Sequence, residues 1–290
     1  MAGVVIRRLV GRSEVKQVAE LAKQEGWSSS LPYLLKCFDI DHSNWWVAEE
    51  KDGRIVGNSK TFSQEDNVTC QGGMFVLDKK YRGQGIGGKL RSATLAGAQE
   101  KDVFITALKP ERTLNVFKPL QQIHNMTITK SNQKLSPLPR TEFRILTLAD
   151  VPLELVEKYD GRTYPIKRTT IFHRCIIGDA ARVFVAVDSS SGEVIGYAAL
   201  KETWKGWEFC PTYADNDDVG YELIRKMLDH VPEGADIEVN TFTENQAAID
   251  LYNEIGFLFQ NTFAVMYSKK PLIIPTKKVY STTECDYSPM

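Results

Sequence analysis

The sequence predicts an α/β (α+β) protein of two domains in tandem, each a mixed, mostly antiparallel sheet flanked by helices. Three observations predict it. Apolar residues alternate between period-two runs and helical spacing, so strands and helices interleave along the chain. A polar, proline-containing stretch without period, "KSNQKLSPLPR", interrupts the pattern at 130–140. Beyond it the pattern recurs, hairpin first.

In chain order, a strand is expected near Val4–Arg8, then an amphipathic helix from about Ser13, where Val15, Val18, Ala19 and Ala22 share one face. "EGWSSSLPYLLKCF" reads as a turn and a second short helix. "NWWVAEEKDGRIVGNSKTF" is a hairpin turning at Asp52-Gly53. A strand from about Val68 to Leu77 runs into a glycine-rich loop, followed by a helix over about Gly85–Glu100. Strand Val103–Leu108, a short helix around Thr113–Leu120 and a strand near Ile123–Thr129 complete the order βααβββαβαβ. After the linker, "FVAVDSSSGEVIGY" from Phe184 repeats "WVAEEKDGRIVGN" from Trp46. The elements behind it keep their order: a strand to about Tyr213, helix Asp217–His230, strand Ile237–Val239, helix Thr243–Glu254 and strand Phe257–Tyr267. Expected domains are therefore 1–130 and 141–270, joined by a linker over 131–140, with a tail over 271–290 read as a strap or partly disordered extension. A chain of 290 residues suits two cores.

Composition excludes more than it identifies. A formal net charge of -1 gives no electrostatic pull toward nucleic acid or an acidic membrane. Five widely spaced cysteines form no CxxC pair, which fits free thiols in a reducing compartment and no zinc site. The N-terminus carries charge within its first apolar stretch and resembles neither a signal peptide nor a span, so a cytoplasmic protein is expected. Oligomeric state is not legible.

"VLDKKYRGQGIGGKL" sets a strand end, a glycine-rich turn and a helix start in sequence. Backbone N–H groups and the positive end of the helix dipole converge there, which makes a phosphate site. Gly83, Gly85, Gly87 and Gly88 let an anion approach the main chain, and Lys79, Lys80, Arg82 and Lys89 add positive charge. A P-loop needs Ser or Thr after its lysine, and Leu90 follows Lys89. The dinucleotide fingerprint is formally met by Gly83, Gly85 and Gly88 with Asp102 downstream, but Asp102 precedes a strand where it should end one. Coenzyme A is the third candidate.

"RGQGIG", Arg82–Gly87, resembles the pyrophosphate motif of the GNAT superfamily of N-acyltransferases, Gln/Arg-x-x-Gly-x-Gly/Ala, and the strand–loop–helix unit and element order resemble that family too. The resemblance implies that main-chain groups at Phe75, Val76 and Leu77 hold the pantetheine arm of the coenzyme. Amides of Arg82, Gly83, Gln84, Gly85, Ile86 and Gly87, with Gly88 behind them, take the pyrophosphate. An amide near Val76 polarises the thioester carbonyl and stabilises the oxyanion while a deprotonated amine attacks. The co-substrate is then acetyl-CoA or another acyl-CoA, and no metal is expected. The acceptor is a small-molecule amine or amino acid, with a protein lysine or N-terminus as the alternative.

The two halves differ. Aligned through Leu90 and Leu223, "RGQGIG" faces "DNDDVG", whose Asp215, Asp217 and Asp218 repel a polyanion and instead serve a helix start. "NQAAIDLYNEIGF", Asn245–Phe257, resembles the family motif after the fifth strand, in which a tyrosine protonates the leaving thiolate; Tyr252 is that tyrosine. The first half has "TLNVFKPLQQI" there, which makes Asn115 and Phe117 coenzyme-contact candidates and sets Phe117 against Tyr252. One coenzyme site, in the first domain, is expected. Tyr252 reads as a packed core tyrosine or an acceptor contact. The tandem arrangement, with "EGW" at Glu25–Trp27 and "PTYADND" at Pro211–Asp217, resembles tandem GNAT proteins whose C-terminal half is of the YitH/HolE type. An alkylammonium acceptor must lose a proton. Glu25 and Trp27 lie where such folds line the acceptor site, and Asp78 at the strand end is a second carboxylate; His124 and His173 read as structural. Loss of the tyrosine motif from the first half leaves a non-catalytic acyl-CoA sensor or scaffold as the other reading.

Overall fold

The computed structural model describes residues 3–283. It divides into two compact units, the first running to Thr106 and including 267–270, the second comprising 107–266 and the chain from Pro271. No helix among the described residues is long and apolar enough to cross a membrane.

In the first unit β1 (Val5–Arg8), β2 (Trp45–Glu49), β3 (Ile55–Ser63), β4 (Thr69–Leu77) and β5 (Asp102–Ala107) lie side by side in chain order. All pairings are antiparallel except β4 with β5, which is parallel. Helix α1 (Arg12–Gln24) buries Val15, Val18, Ala19, Leu21 and Ala22, and α2 (Leu31–Ile40) follows, capped by the Ser30 hydroxyl. Helix α3 (Ile86–Ala96) packs Ile86 and Leu90 against Ala48, Val56 and Leu77 of the sheet. It approaches so closely that a Cβ on Gly57 would lie 2.9 Å from Leu90 Cδ1. The expected extension of α3 to Glu100 does not form. Gly97 ends the helix against Asn44, whose side chain accepts no Cβ there and donates to Thr94 O at 2.8 Å.

The short helix expected over Thr113–Leu120 is also absent. A 3-10 turn occupies Pro110–Arg112, and β6 (Lys118–Thr129) starts where the helix was expected to end. β6 pairs antiparallel with β11 (Asp236–Phe242) from Ile123↔Phe242 to Thr129↔Asp236. Met126 and Ile128 bury among Val239, Leu251 and Tyr252. The strand expected to close the first domain thus belongs to the core of the second unit, which moves the division between units from 131–140 to 106/107.

The rest of the second unit comprises β7 (Phe143–Thr147), α4 (Leu153–Thr163), α5 (Thr169–Ile171) running on into a π-helical turn, β8 (Arg182–Asp188), β9 (Val194–Thr203) and β10 (Gly206–Ala214). Helix α6 (Asp217–His230) precedes β11, and α7 (Gln246–Ile255), β12 (Leu258–Tyr267) and β13 (Val279–Ser281) follow it. Sheet order is β12-β6-β11-β10-β9-β8-β7, with β13 on β10. As in the first unit, one parallel pair, β10 with β11, lies beside antiparallel neighbours. Buried Arg168 is bidentate to Asp160 at 2.7 and 3.0 Å, and the hydroxyls of Tyr197 and Tyr213 complete the cluster. The tail is ordered further than expected, because β13 is buried; residues 284–290 lie outside the described ones.

Candidate functional site

β4 and β5 pair only from Thr69↔Asp102 to Gly72↔Ile105, after which β4 continues to Leu77 paired with β3 but not with β5. Gly72 permits the close approach before they part, since a Cβ there would meet Ile105 Cγ2 at 2.7 Å. On its other side β4 bulges: Asn58 pairs Val76 while Lys60 pairs Gly73, so Met74 and Phe75 oppose Ser59 alone. Met74 takes a left-handed conformation, φ 53°, unusual for a residue with a side chain. Buried Asn58 holds it there, donating to Met74 O at 2.5 Å while accepting from the Trp45 indole N–H. The bulge leaves Val76 buried and turns Phe75 outward, 49% exposed, over the start of α3, where its ring lies 3.3 Å from the position of a Gly87 Cβ.

The loop follows. Asp78 caps the turn Lys79–Tyr81, accepting from Lys80 N at 2.9 Å, with Arg54 3.8 Å from its other oxygen. Beneath the turn, the Tyr81 hydroxyl donates to Glu50 and receives from Arg54. Gly83 and Gly85 have φ of 78° and 77°, a conformation costly for any residue with a Cβ. Gly83, Gly85 and Gly88 face open space. The first helical bond is Lys89 N to Gly85 O, and the N–H groups from Gly83 to Gly88 have no protein acceptor among the described residues. Six unpaired donors at a helix start, with positive-φ glycines before it, fit a diphosphate. Arg82 donates to Leu77 O at 2.9 Å and pairs with Glu25 at 2.8 Å. Gln84 is exposed and reaches back to Lys80 O.

The structure therefore brings Glu25, Phe75, Val76, Leu77, Asp78 and the Arg82–Gly88 loop into one unit. Glu25 is the C-cap of α1, and its carboxylate reaches the loop through Arg82, a link between distant segments that sequence spacing does not reveal. Trp27 is half-buried and closes α1 through its N–H to Ala22 O. Ser29, missed in the sequence, has a buried hydroxyl without a partner among the described residues. Asn58 and Trp45 were missed too; an Asn inside a strand, between Gly57 and Ser59, was the available signal.

Three candidates lie elsewhere. Asn115 is exposed and Phe117 buried, both in the second unit and not on the helix expected to carry them. Tyr252 is fully buried with its ring edge-on to Phe257, its hydroxyl unpaired and its phenol pushed far up by burial, which removes it from the acceptor contacts. His124 packs against Phe259 and His173 contacts Glu157 at 2.9 Å, as structural histidines do. In the second unit the loop is replaced by helix. Asn216, not an aspartate, caps α6 through Val219 N at 3.0 Å, and Asp217 and Asp218 fill the first turn.

Two models of a GNAT acetyltransferase domain match residues 41–118 and 156–281. The holothin acyltransferase of Pseudoalteromonas sp. (strain SANK 73390) is 23% identical over 259 residues, covering 88% of this chain and 85% of its own. A candidate acetyltransferase from Pyrococcus horikoshii superposes with a TM-score of 0.78 at 15% identity, over 99% of this chain and 97% of that one. A tandem GNAT protein from the clavulanic acid biosynthesis pathway superposes with a TM-score of 0.65 at 14% identity, over 94% of this chain and 100% of that one. With the splayed strands, the bulge and the free-amide loop already in place, the two matched domains make this chain a tandem member of the GNAT acyltransferase superfamily.

Proposed function

We propose that the chain is an N-acetyltransferase with a single coenzyme site in its first unit, moving an acetyl group to the primary amine of a small molecule or amino acid. The observation that carries this reading is the run of unpaired amides from Gly83 to Gly88 beside a strand that has parted from its neighbour. Acetyl-CoA, when bound, supplies the activated thioester. The amides hold its pyrophosphate, with Arg82 and Lys89 adding charge, and the main chain at Phe75, Val76 and Leu77 holds the pantetheine arm. A main-chain N–H at the bulge near Val76 faces the charge that develops on the carbonyl oxygen; one such donor is worth about 3 kcal/mol of barrier.

On the acceptor side, Glu25 is the carboxylate placed to take the amine proton through water, with Trp27 and Ser29 alongside. Its ion pair with Arg82 is half exposed on the arginine side, so it is weak enough to yield to a diphosphate. Asp78 is committed to capping its turn and is assigned a structural part. Attack by the neutral amine forms the C–N bond, and the C–S bond breaks as the thiolate leaves.

Calorimetric titration of the whole chain with acetyl-CoA, followed by a thiol-release assay across amines and amino acids, tests this. One equivalent bound and thiol release with an amine is the expected result. Failure to bind millimolar coenzyme overturns the site; binding with no turnover on any amine replaces the enzyme with a coenzyme sensor.

A further inference from the structure

The second unit contains the same strand opening as the first, and it is filled. β10 and β11 pair in parallel from Trp207↔Ile237 to Phe209↔Val239. Beyond that point β13 pairs antiparallel with β10 at Thr212 and Tyr213, while Thr282 N donates to Asn240 O of β11 at 2.8 Å. The segment is thus wedged between the two parted strands. Asn245, the N-cap of α7, donates to the carbonyls of Lys277 and Val279 at 3.3 and 3.0 Å, and Ser281 Oγ bonds Thr212 Oγ1 at 2.9 Å. Val279, Tyr280 and Ser281 are buried. Tyr280 covers the first turns of α6: a Cβ on Gly220 would fall 2.4 Å from its ring, and its hydroxyl donates to Asp217.

We infer that residues 276–283 are an internal ligand of the second unit, a 3-10 turn at Thr276–Lys278 followed by an extended stretch whose strand β13 is lodged in the slot that corresponds to the coenzyme slot of the first. The inference rests on the reading of the first slot as the coenzyme site. The filled slot recognises a peptide strand by main-chain pairing on both sides and by one aromatic ring laid on a glycine. It does not recognise a polyanion, because Asp217 accepts the tyrosine hydroxyl where the first unit offers bare amides. Gly220 is the counterpart of Gly87, and it makes room for chain where Gly87 sits against Phe75.

The test uses two variants. A chain ending at Pro275 is expected to melt at a lower temperature than the intact chain. A synthetic peptide of residues 276–283 should restore the melting temperature saturably, and the same peptide with Tyr280→Ala should not. Gly220→Ala in the full chain decides the matter if the truncated chain fails to fold. In a helix with room, that change is stabilising. Here the added methyl expels the ring, so the melting temperature should fall and tryptic cleavage at Lys277 and Lys278, read by mass, should quicken by about tenfold or more. A Gly220→Ala chain that melts higher with unchanged cleavage, or a folded truncated chain indifferent to the peptide, overturns the inference. Acetyl-CoA titration of the intact chain is scored separately. Lack of coenzyme binding sinks the proposed function and leaves peptide rescue standing, whereas lack of rescue with coenzyme bound sinks the internal ligand alone.

Discussion

Asn58 is the residue on which the candidate site turns, because it fixes a strained Met74 and satisfies a buried indole with one side chain. Asn58→Ala orphans two buried polar groups at about 1–3 kcal/mol each. Urea unfolding should show a loss of roughly 2–6 kcal/mol, and acetyl-CoA affinity should fall as the bulge relaxes. The sequence shows an asparagine between Gly57 and Ser59 but not the partner that gives it meaning, which lies a strand away. Glu25 has the same character: the family resemblance made it a candidate acid or base, whereas its pairing with Arg82 depends on tertiary approach. Cys70 behaves in the opposite way, as an inert thiol. Burial pushes its pKa up to about 11, so only ~0.1% is thiolate at pH 8. Iodoacetamide at that pH should leave the Cys70 peptide of the folded chain unmodified, as mass spectrometry would detect.

Among the elements, β1, α1 and β2 are joined by Arg7, which bonds Glu14 at 2.7 Å and Glu49 at 2.7 Å. For Glu14, burial opposes ionisation, yet the Arg7 guanidinium and the Val10 amide outweigh it and hold the carboxyl below its usual range. Arg7 lowers Glu49 in the same direction. Both folded pKa values are depressed, so the contribution is complete above the unfolded value near 4.5 and disappears as pH falls through the folded ones. Arg7→Met should therefore cost roughly 1 kcal/mol at pH 7. Urea midpoints of the two proteins should converge toward pH 3, and a difference that stays constant with pH refutes the linkage. Helix α6 was legible to the residue, because an acidic start and a strong apolar stripe agree. The segment 113–120 was not. Val116, Phe117 and Leu120 have helical spacing, but the chain makes only turns over 113–116 and, with Pro119 at its start, runs on from Lys118 as the strand β6. β13 is three residues long, too short for periodicity to reveal, and exists through its neighbours.

For the whole molecule, duplication was legible from repeated hairpins, and the asymmetry between the halves from glycines set against aspartates. What could not be read was the exchange of β6 into the second core or the filling of the second slot, since both depend on pairings distant in sequence. The proposed single coenzyme site makes a stoichiometric prediction. Gly85→Asp places a charged side chain at φ 77° among the donors and should abolish binding of acetyl-CoA. Asp218→Gly should leave one equivalent bound; a second equivalent, or half the first, contradicts the assignment. The pairing of β6 with β11 also sets a schedule. Thr129 and Asp236 are 107 residues apart, and a ribosome adding 5–20 residues per second needs roughly 5–20 s to cross that interval. For that time β6 is outside the ribosome with its ladder unmade and Met126 and Ile128 uncovered. The nascent chain must shelter a naked strand until its partner is synthesised, so the speed of translation between the two strands governs how much of it escapes aggregation.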